Sequence, residues 1–282
     1  MKSAIFDLAT PDSLEQAVSA LSQSLGMGKV LAGGQSLGPM MNMRLAQPEL
    51  LVNATVLKAL RHTEETAQEV ILGAAITHAE IEDGHVPDPT GGLMQTVASG
   101  IAYRAVRNRG TLGGSLAHAD PAADWINLMP LLNAKMKVVG PTGTRNIDAS
   151  QWMIGTFTSA LDENEILIYV SIPKLSRQAC RSYYKINRKP GEFSEATAGF
   201  LIDPLRDICR AVIGATDGPP LSLENEDAKA LITELRSGRI GVLADHALLR
   251  AGIEKDTHSY QLHAVAMQRA VAMLDSEKGK MI

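Results

Sequence analysis

Two pairs of consecutive glycines constrain this chain more than any other feature: Gly33-Gly34 within Ala32-Gly33-Gly34-Gln35-Ser36, and Gly113-Gly114 within Thr111-Leu112-Gly113-Gly114-Ser115. Glycine tolerates positive φ and carries no Cβ, so such a segment can turn sharply and bring its backbone against a ligand. The first pair follows a strand-like Lys29-Val30-Leu31 and precedes helical spacing from Leu37 to Arg44. A strand, a glycine turn and a helix form an α/β unit whose backbone N–H groups can converge on an anion, with the Ser36 hydroxyl adding a donor. Pyrophosphate is the natural guest, although a bare Gly-Gly turn also suits a purely structural role. Neither segment is G-x-G-x-x-G. Gly33 and Gly38 have Walker A spacing, but Pro39 and Met40 stand where Lys and Ser/Thr are required, which disfavours nucleoside triphosphate hydrolysis.

The second segment reads as the same device, about eighty residues further on, and suits a ligand held along an extended body. Arg107-Asn108-Arg109-Gly110 precedes it, and basic residues cluster at Arg104, Arg107 and Arg109 and again at Lys185, Arg188 and Lys189. Each cluster is either ordinary surface solvation or the neighbour of a bound anion. Downstream, Asp124 is placed to accept hydrogen bonds from a ribose or adenine, while Asp120, before a proline, suits a turn or a helix cap. His118 has no paired nucleophile or metal-ligand spacing around it and reads as a polar residue lining a pocket.

Elsewhere the pattern is of alternating short elements. A strand is expected at Ala4–Leu8, then a helix capped by Thr10 or Asp12 with Leu14, Ala17, Val18 and Leu21 on its buried face. Thr77 and Glu80 have capping-box spacing. Further helices are expected at Leu93–Tyr103 and Trp125–Leu132, and strands at Glu69–Gly73, Lys135–Val139 and Ile166–Ile172. From about residue 177 the character changes: strands at Tyr183–Ile186, Ala196–Ile202 and Ile208–Gly214 lead into a charged helical tail from Asn225 to Met281. The methionines at 40–43 and Trp125 read as core.

A net charge of -4 argues against nucleic-acid binding, which needs concentrated positive charge. The two cysteines, Cys180 and Cys209, cannot supply a disulfide framework, a zinc site or an iron–sulfur cluster, and fit a reducing compartment. Neither a signal-peptide core nor an apolar run near the roughly 20 residues of a membrane span is evident, so a cytoplasmic location is expected.

In combination, three stretches resemble the FAD-binding medium subunits of molybdenum hydroxylases, the carbon monoxide dehydrogenase and xanthine dehydrogenase class. They are AGGQSLGPMMNMRLAQPELLVN at 32–53, NRGTLGGSLAHADPAAD at 108–124 and YYKINRKPGEFSEATAG at 183–199, with GATDGPP at 214–220 similar to the start of the family's C-terminal domain. The resemblance implies an α+β architecture: an FAD-binding domain at 1–176 of the vanillyl-alcohol-oxidase (PCMH) type, with subdomains about 1–55 and 56–176. A C-terminal domain at 177–282 would follow, a three-stranded sheet against a helical bundle. It implies that Ala32, Gly33, Gly34, Gln35, Ser36 and Leu37, with Thr111, Gly113, Gly114 and Ser115, hold the FAD pyrophosphate, and that Asp124 holds ribityl or ribose hydroxyls. Ile101 would lie near the flavin, Phe193 would cover it, and Lys185 would favour negative charge on the reduced ring.

No catalytic acid, base or metal ligand is expected on this chain. Electrons would arrive from the [2Fe–2S] clusters of a small subunit, after substrate oxidation on a large molybdopterin subunit, within a dimer of heterotrimers, and would leave to an external acceptor. A stand-alone flavin oxidase and a non-catalytic scaffold subunit are the alternatives.

Overall fold

The computed structural model describes residues 2–278. The first sheet is parallel: β1 (Asp7–Ala9) and β2 (Gly28–Leu31) flank β3 (Leu50–Asn53), with α1 (Leu14–Gln23) and α2 (Leu37–Asn42) between them in sequence. Ser13 caps α1, its side chain accepting from the Gln16 amide; the expected Thr10 or Asp12 lies too far back to reach the first free N–H groups. The expected face of α1 forms, and Ala17, Val18 and Leu21 pack on Val52, Leu57 and Leu60. α2 stops at Asn42 because Arg44 turns to φ +58°, which no continuing helix allows.

The second sheet is antiparallel throughout. β4 (Thr63–Glu65) and β5 (Glu69–Gly73) open it. The helices α3 (His78–Glu82), α4 (Leu93–Ser99), α5 (Arg104–Arg107), α6 (Leu112–His118) and α7 (Asp124–Leu131) follow. The strands β6 (Lys135–Gly140) and β7 (Gly143–Asp148), the small hairpin β8 (Met153–Gly155) and β9 (Thr158–Ser159), and β10 (Ile166–Pro173) complete this part. The order is β4-β5-β10-β6-β7. Thr77 and Glu80 form the expected capping box at α3. The single helix expected over Leu93–Tyr103 is instead broken after Ser99, where Ala102 takes φ +43° and α5 restarts. Trp125, Leu128 and Met129 of α7 and Leu112 and Leu116 of α6 fill the core against Val70, Leu72, Val138 and Val170.

The third sheet has four antiparallel strands, not three: β11 (Cys180–Ile186), β12 (Ala196–Asp203), β13 (Ile208–Gly214) and β14 (Leu221–Glu224). β14 has only four residues, too few for its alternation to stand out in the sequence. Three helices follow: α8 (Asn225–Arg236), α9 (Val242–Arg250) and α10 (His258–Lys278). Met281, the expected end of the helical tail, lies outside the described residues. β12 reads as a nearly continuous apolar run because both of its faces are covered. Leu201 and, from β13, Val212 join the core around α7, while Ala198 and Phe200 join Leu231, Ile232, Ala266 and Met267 of the helices. No helix among the described residues is long and apolar enough to cross a membrane.

Gly214 marks the joint between the third sheet and α7. A Cβ there would overlap the side chain of Asn127, which is fully buried and pinned by donating from Nδ2 to the carbonyls of Pro121 at 3.0 Å and Ala123 at 3.1 Å. Gly214→Ala is therefore expected to destabilise the chain by about 1–3 kcal/mol, as overpacking of a close-packed interior does. Urea denaturation of the two proteins measures the loss.

Candidate functional site

A cavity of about 710 Å³ opens where the three sheets meet, within the roughly 300–1,000 Å³ typical of ligand and cofactor sites. It lies at the carboxyl end of β2, where ligands bind in open α/β units. Every residue that the resemblance assigns to the cofactor lines it: Ala32 to Leu37, Ile101, Thr111, Gly113, Gly114, Ser115, Asp124, Lys185 and Phe193; Arg107, Arg109, Arg188 and Lys189 of the basic clusters do not. His118 and Asp120 line it too.

The first glycine segment has the form of an anion cradle. Gly34 takes φ +70°, and the backbone N–H groups of Gly33, Gly34, Gln35, Ser36 and Leu37 donate to no acceptor among the described residues. Ser36 makes no capping bond, so its hydroxyl is available as well. Gln35 folds back, its Nε2 donating to the Gly33 carbonyl at 2.9 Å, which tightens the turn. Gly33 itself faces protein: a Cβ there would overlap the Arg109 carbonyl and come within 2.8 Å of Gly110 Cα.

The second segment works differently from the first, contrary to its reading as a repeated device. Four of its five amides are already used: Leu112 donates to Ile76 O and Gly113 to Ala74 O, both at 2.9 Å, Gly114 to Thr111 Oγ1 at 2.9 Å and Ser115 to Thr111 O at 3.0 Å. A Cβ on Gly113 would lie 2.7 Å from Ala74 O. The glycines here let α6 sit directly on the 74–78 segment, and the segment forms the wall of the cavity. Two arginines upstream, Arg104 and Arg107, are consumed within the protein. Arg107 pairs with Glu82 at 2.8 Å and donates to the Ile101 and Ala102 carbonyls at 2.9 Å, while Arg104 bridges Glu82 and Asp83.

Opposite lies a buried ion pair. Asp124, at the first turn of α7, accepts from Lys185 Nζ at 2.7 Å and from the Tyr183 hydroxyl at 3.2 Å, both from β11. Lys185 also donates to Gly100 O at 3.0 Å, leaving its third N–H for the cavity. Burial pushes the Asp124 carboxyl up from its ordinary value, opposed by the Lys185 charge; burial and Asp124 hold the Tyr183 phenol well above its own. The segment after β11 is tied down at Gly191, which bridges to Ile101, so Ile101 and the exposed Phe193 ring are brought to the same wall.

Residues 4–175 match the family described as the FAD binding domain in molybdopterin dehydrogenase. The chain belongs to this family. It is 32% identical over 228 residues to the carbon monoxide dehydrogenase medium chain of Hydrogenophaga pseudoflava, covering 80% of this chain and 79% of that one. To the nicotine 6-hydroxylase medium subunit of Paenarthrobacter nicotinovorans it is 35% identical over 224 residues, 76% of each chain. Carbon monoxide dehydrogenase from H. pseudoflava superposes with a TM-score of 0.84 at 27% identity, over 98% of this chain and 99% of that one. Quinoline 2-oxidoreductase from Pseudomonas putida 86 does so with a TM-score of 0.83 at 26% identity, over 99% of both chains. The α+β FAD-binding fold and the molybdenum-hydroxylase resemblance of the motifs therefore hold.

One cavity residue of this FAD-binding domain escaped the sequence reading, which saw only its capping neighbours. His78, 5% exposed, lines the cavity, and its Nδ1 accepts from the Trp125 indole N–H at 3.0 Å. Its amide donates to Gly110 O at 2.9 Å, tying the capping box to the second glycine segment. Burial, with a smaller contribution from the Arg107 charge, pushes His78 down to about 4. His118, by contrast, sits half-buried against Phe157, ring centroids 5.2 Å apart, its basicity lowered by burial. Asp120 accepts from the Ala122 amide at 2.9 Å and shapes the turn, but the N-cap of α7 is Ala123.

Gly33 and Gly38 give variants of opposite sign. Gly33→Ala drives a methyl into the Arg109 carbonyl and is expected to lower stability by about 1–3 kcal/mol. Gly38→Ala, with nothing within 4 Å of its Cβ and a place inside α2, should raise it by up to about 1 kcal/mol. Chemical denaturation of both measures the difference.

His78 sets an acid limit. The unfolded chain takes up its proton near 6.5 and the folded chain only near 4, so between those values the unfolded state binds more protons and stability falls as pH falls. The contribution, about 3 kcal/mol, is complete above about pH 6.5 and gone by about pH 4. In urea titrations across that window, His78→Phe should flatten the slope.

Proposed function

We propose that the chain is the FAD-carrying electron-transfer subunit of a molybdopterin-containing hydroxylase, with FAD held in the cavity where the three sheets meet. The single observation that carries this reading is the run of unengaged amides from Gly33 to Leu37 in the same cavity as the Lys185–Asp124 pair, in a chain of this family. The residues fit the cofactor. A Cβ on Gly34 would meet only Leu31, at 3.5 Å, so the space beside the cradle is open, and positive φ turns the amides toward one point. A pyrophosphate there would be held by Gly33 to Leu37 and the Ser36 hydroxyl, with Thr111, Gly113, Gly114 and Ser115 as the supporting wall. The flavin would lie between Ile101, Phe193 and Lys185, enclosed by the two N-terminal subdomains and the first strand of the C-terminal domain, with the boundary near residue 176.

Bound FAD supplies the redox chemistry, exchanging electrons singly with iron–sulfur clusters and with an external acceptor. The protein positions it and sets the local charge. Lys185 presents one N–H to the cavity, while Asp124 neutralises most of its field and fixes its reach. Asp124 therefore acts through Lys185 as well as on ligand hydroxyls. The related chains named as medium chains or subunits support partners of two kinds, a small [2Fe–2S] subunit and a large molybdopterin subunit where the organic substrate reacts. A cytoplasmic dimer of heterotrimers is the assembly we favour.

An absorption spectrum of the purified chain, with the released cofactor identified by chromatography, tests the reading. FAD bound without iron–sulfur absorption is the expected result. A chain that takes up no flavin even in excess FAD overturns it in favour of a scaffold role.

A further inference from the structure

The buried histidine at the head of α3 has an unmatched donor. An indole nitrogen only donates, so the Trp125 N–H bonded to His78 Nδ1 requires that nitrogen to be the ring's acceptor. The neutral ring then carries its proton on Nε2, and no acceptor for it exists among the described residues. Nε2 is not among the fully buried polar atoms that lack a partner, so its N–H stands open to the cavity that the ring lines. A carbonyl or a glutamine would satisfy the indole equally well.

The place of that donor identifies its acceptor. A Cβ on Gly110 would lie 2.9 Å from His78 Cδ2 and 3.0 Å from Nε2, so the Nε2 edge of the ring packs on a position only glycine leaves open. Gly110 Cα in turn lies 2.8 Å from where a Gly33 Cβ would stand. The Nε2 edge, Gly110 and Gly33 are thus successive neighbours, and His78 reaches the cavity at the end where the amides of Gly33 to Leu37 are unengaged.

We propose that His78 is a ligand-binding residue of this cavity, its Nε2–H donating to a pyrophosphate oxygen of the bound dinucleotide while Trp125 fixes the tautomer. The inference rests on the flavin reading above and adds a side-chain donor to the backbone cradle. A neutral donor suits the place. It strengthens the hold on the anion without requiring a second cation in a buried wall, and it keeps the same protonation state throughout the neutral range.

The test uses the full-length chain and FAD. Fluorescence titration comes first: wild type that fails to bind FAD overturns the flavin reading and this inference together. With FAD bound, the Nε2-bound proton of histidine-labelled wild type should shift strongly on binding, and the pyrophosphate ³¹P resonances should differ between wild type and His78→Phe. His78→Phe should weaken FAD about ten- to hundredfold, the value of a hydrogen bond to a charged group, whereas His78→Gln, which can place an N–H near the Nε2 position, should stay within about threefold. FAD bound by wild type with no movement of the Nε2 proton overturns the His78 assignment alone. Equal FAD affinity in wild type, Phe and Gln variants does the same, and because the resonance experiment needs no variant, misfolding of His78→Phe leaves the question decidable.

Discussion

The close contact between Gly33 and the Arg109 carbonyl locks the first parallel sheet to the helical layer of the second. Because no side chain fits between them, the loop after β2 and the loop before α6 must lie backbone against backbone. Close approach recurs at Gly113 on the Ala74 backbone and at Gly110 on the His78 ring, so three glycines together zip one line of contact. Everything the cavity offers follows from it. The loop that turns its amides to the cavity is held from behind by protein, which leaves those amides facing away from any internal acceptor. Flexibility is thus only part of what these glycines contribute; Gly34 and its φ of +70° use it, while Gly33, Gly110 and Gly113 are there for space.

A second constraint is electrostatic. Asp124 on α7 and Lys185 on β11 meet in a wall from which water is largely excluded. Each alone would be a buried charge at a cost of several kcal/mol; together, with Tyr183 and the Gly100 carbonyl completing their hydrogen bonds, they are tolerated. The pair ties β11 to α7 and sets the sign of the field in the cavity. One free N–H of a compensated lysine is a directional donor with a weak net charge, a gentler influence on a bound redox group than an unpaired cation would be.

What the sequence disclosed was whatever has a local signature. Strands with apolar runs, the Thr77–Glu80 cap, the face of α1 and the glycine segments all declare themselves within a few residues. β7 did not, because it is an edge strand with five of its six residues exposed, and its alternation carries no apolar signal. The four-residue β14 fell below the length at which a period can be read. The two glycine segments looked equivalent because their composition is equivalent; only tertiary hydrogen bonds distinguish the one whose amides are unengaged. His78–Trp125 and Asp124–Lys185 join residues 47 and 61 apart, and no spacing rule connects them. The motif resemblance named Asp124 and Lys185 as independent contacts, missing that they are each other's partner in the wall of one cavity.

The C-terminal sheet is part of the site for a physical reason. It supplies Lys185 from β11 and carries Phe193 on the connection to β12, but its larger effect is on what the N-terminal two sheets could do without it. Remove β11 and Asp124 becomes a carboxylate on α7 with neither its cation nor its phenol, while Leu128 and Met129 nearby lose part of the surface against which that core is packed. The Gly100 carbonyl would lose its donor and Ile101 its anchor at Gly191. A ligand in such an open cavity would face solvent along the wall where it most needs a fixed, dry environment. The four-stranded sheet is covered on one face by α7 and on the other by α8 to α10, so the lysine is held on a strand that packing on both sides prevents from moving. A bound redox group at that wall would depend on fixed position, and the chain secures it with a strand packed on both faces instead of a loop.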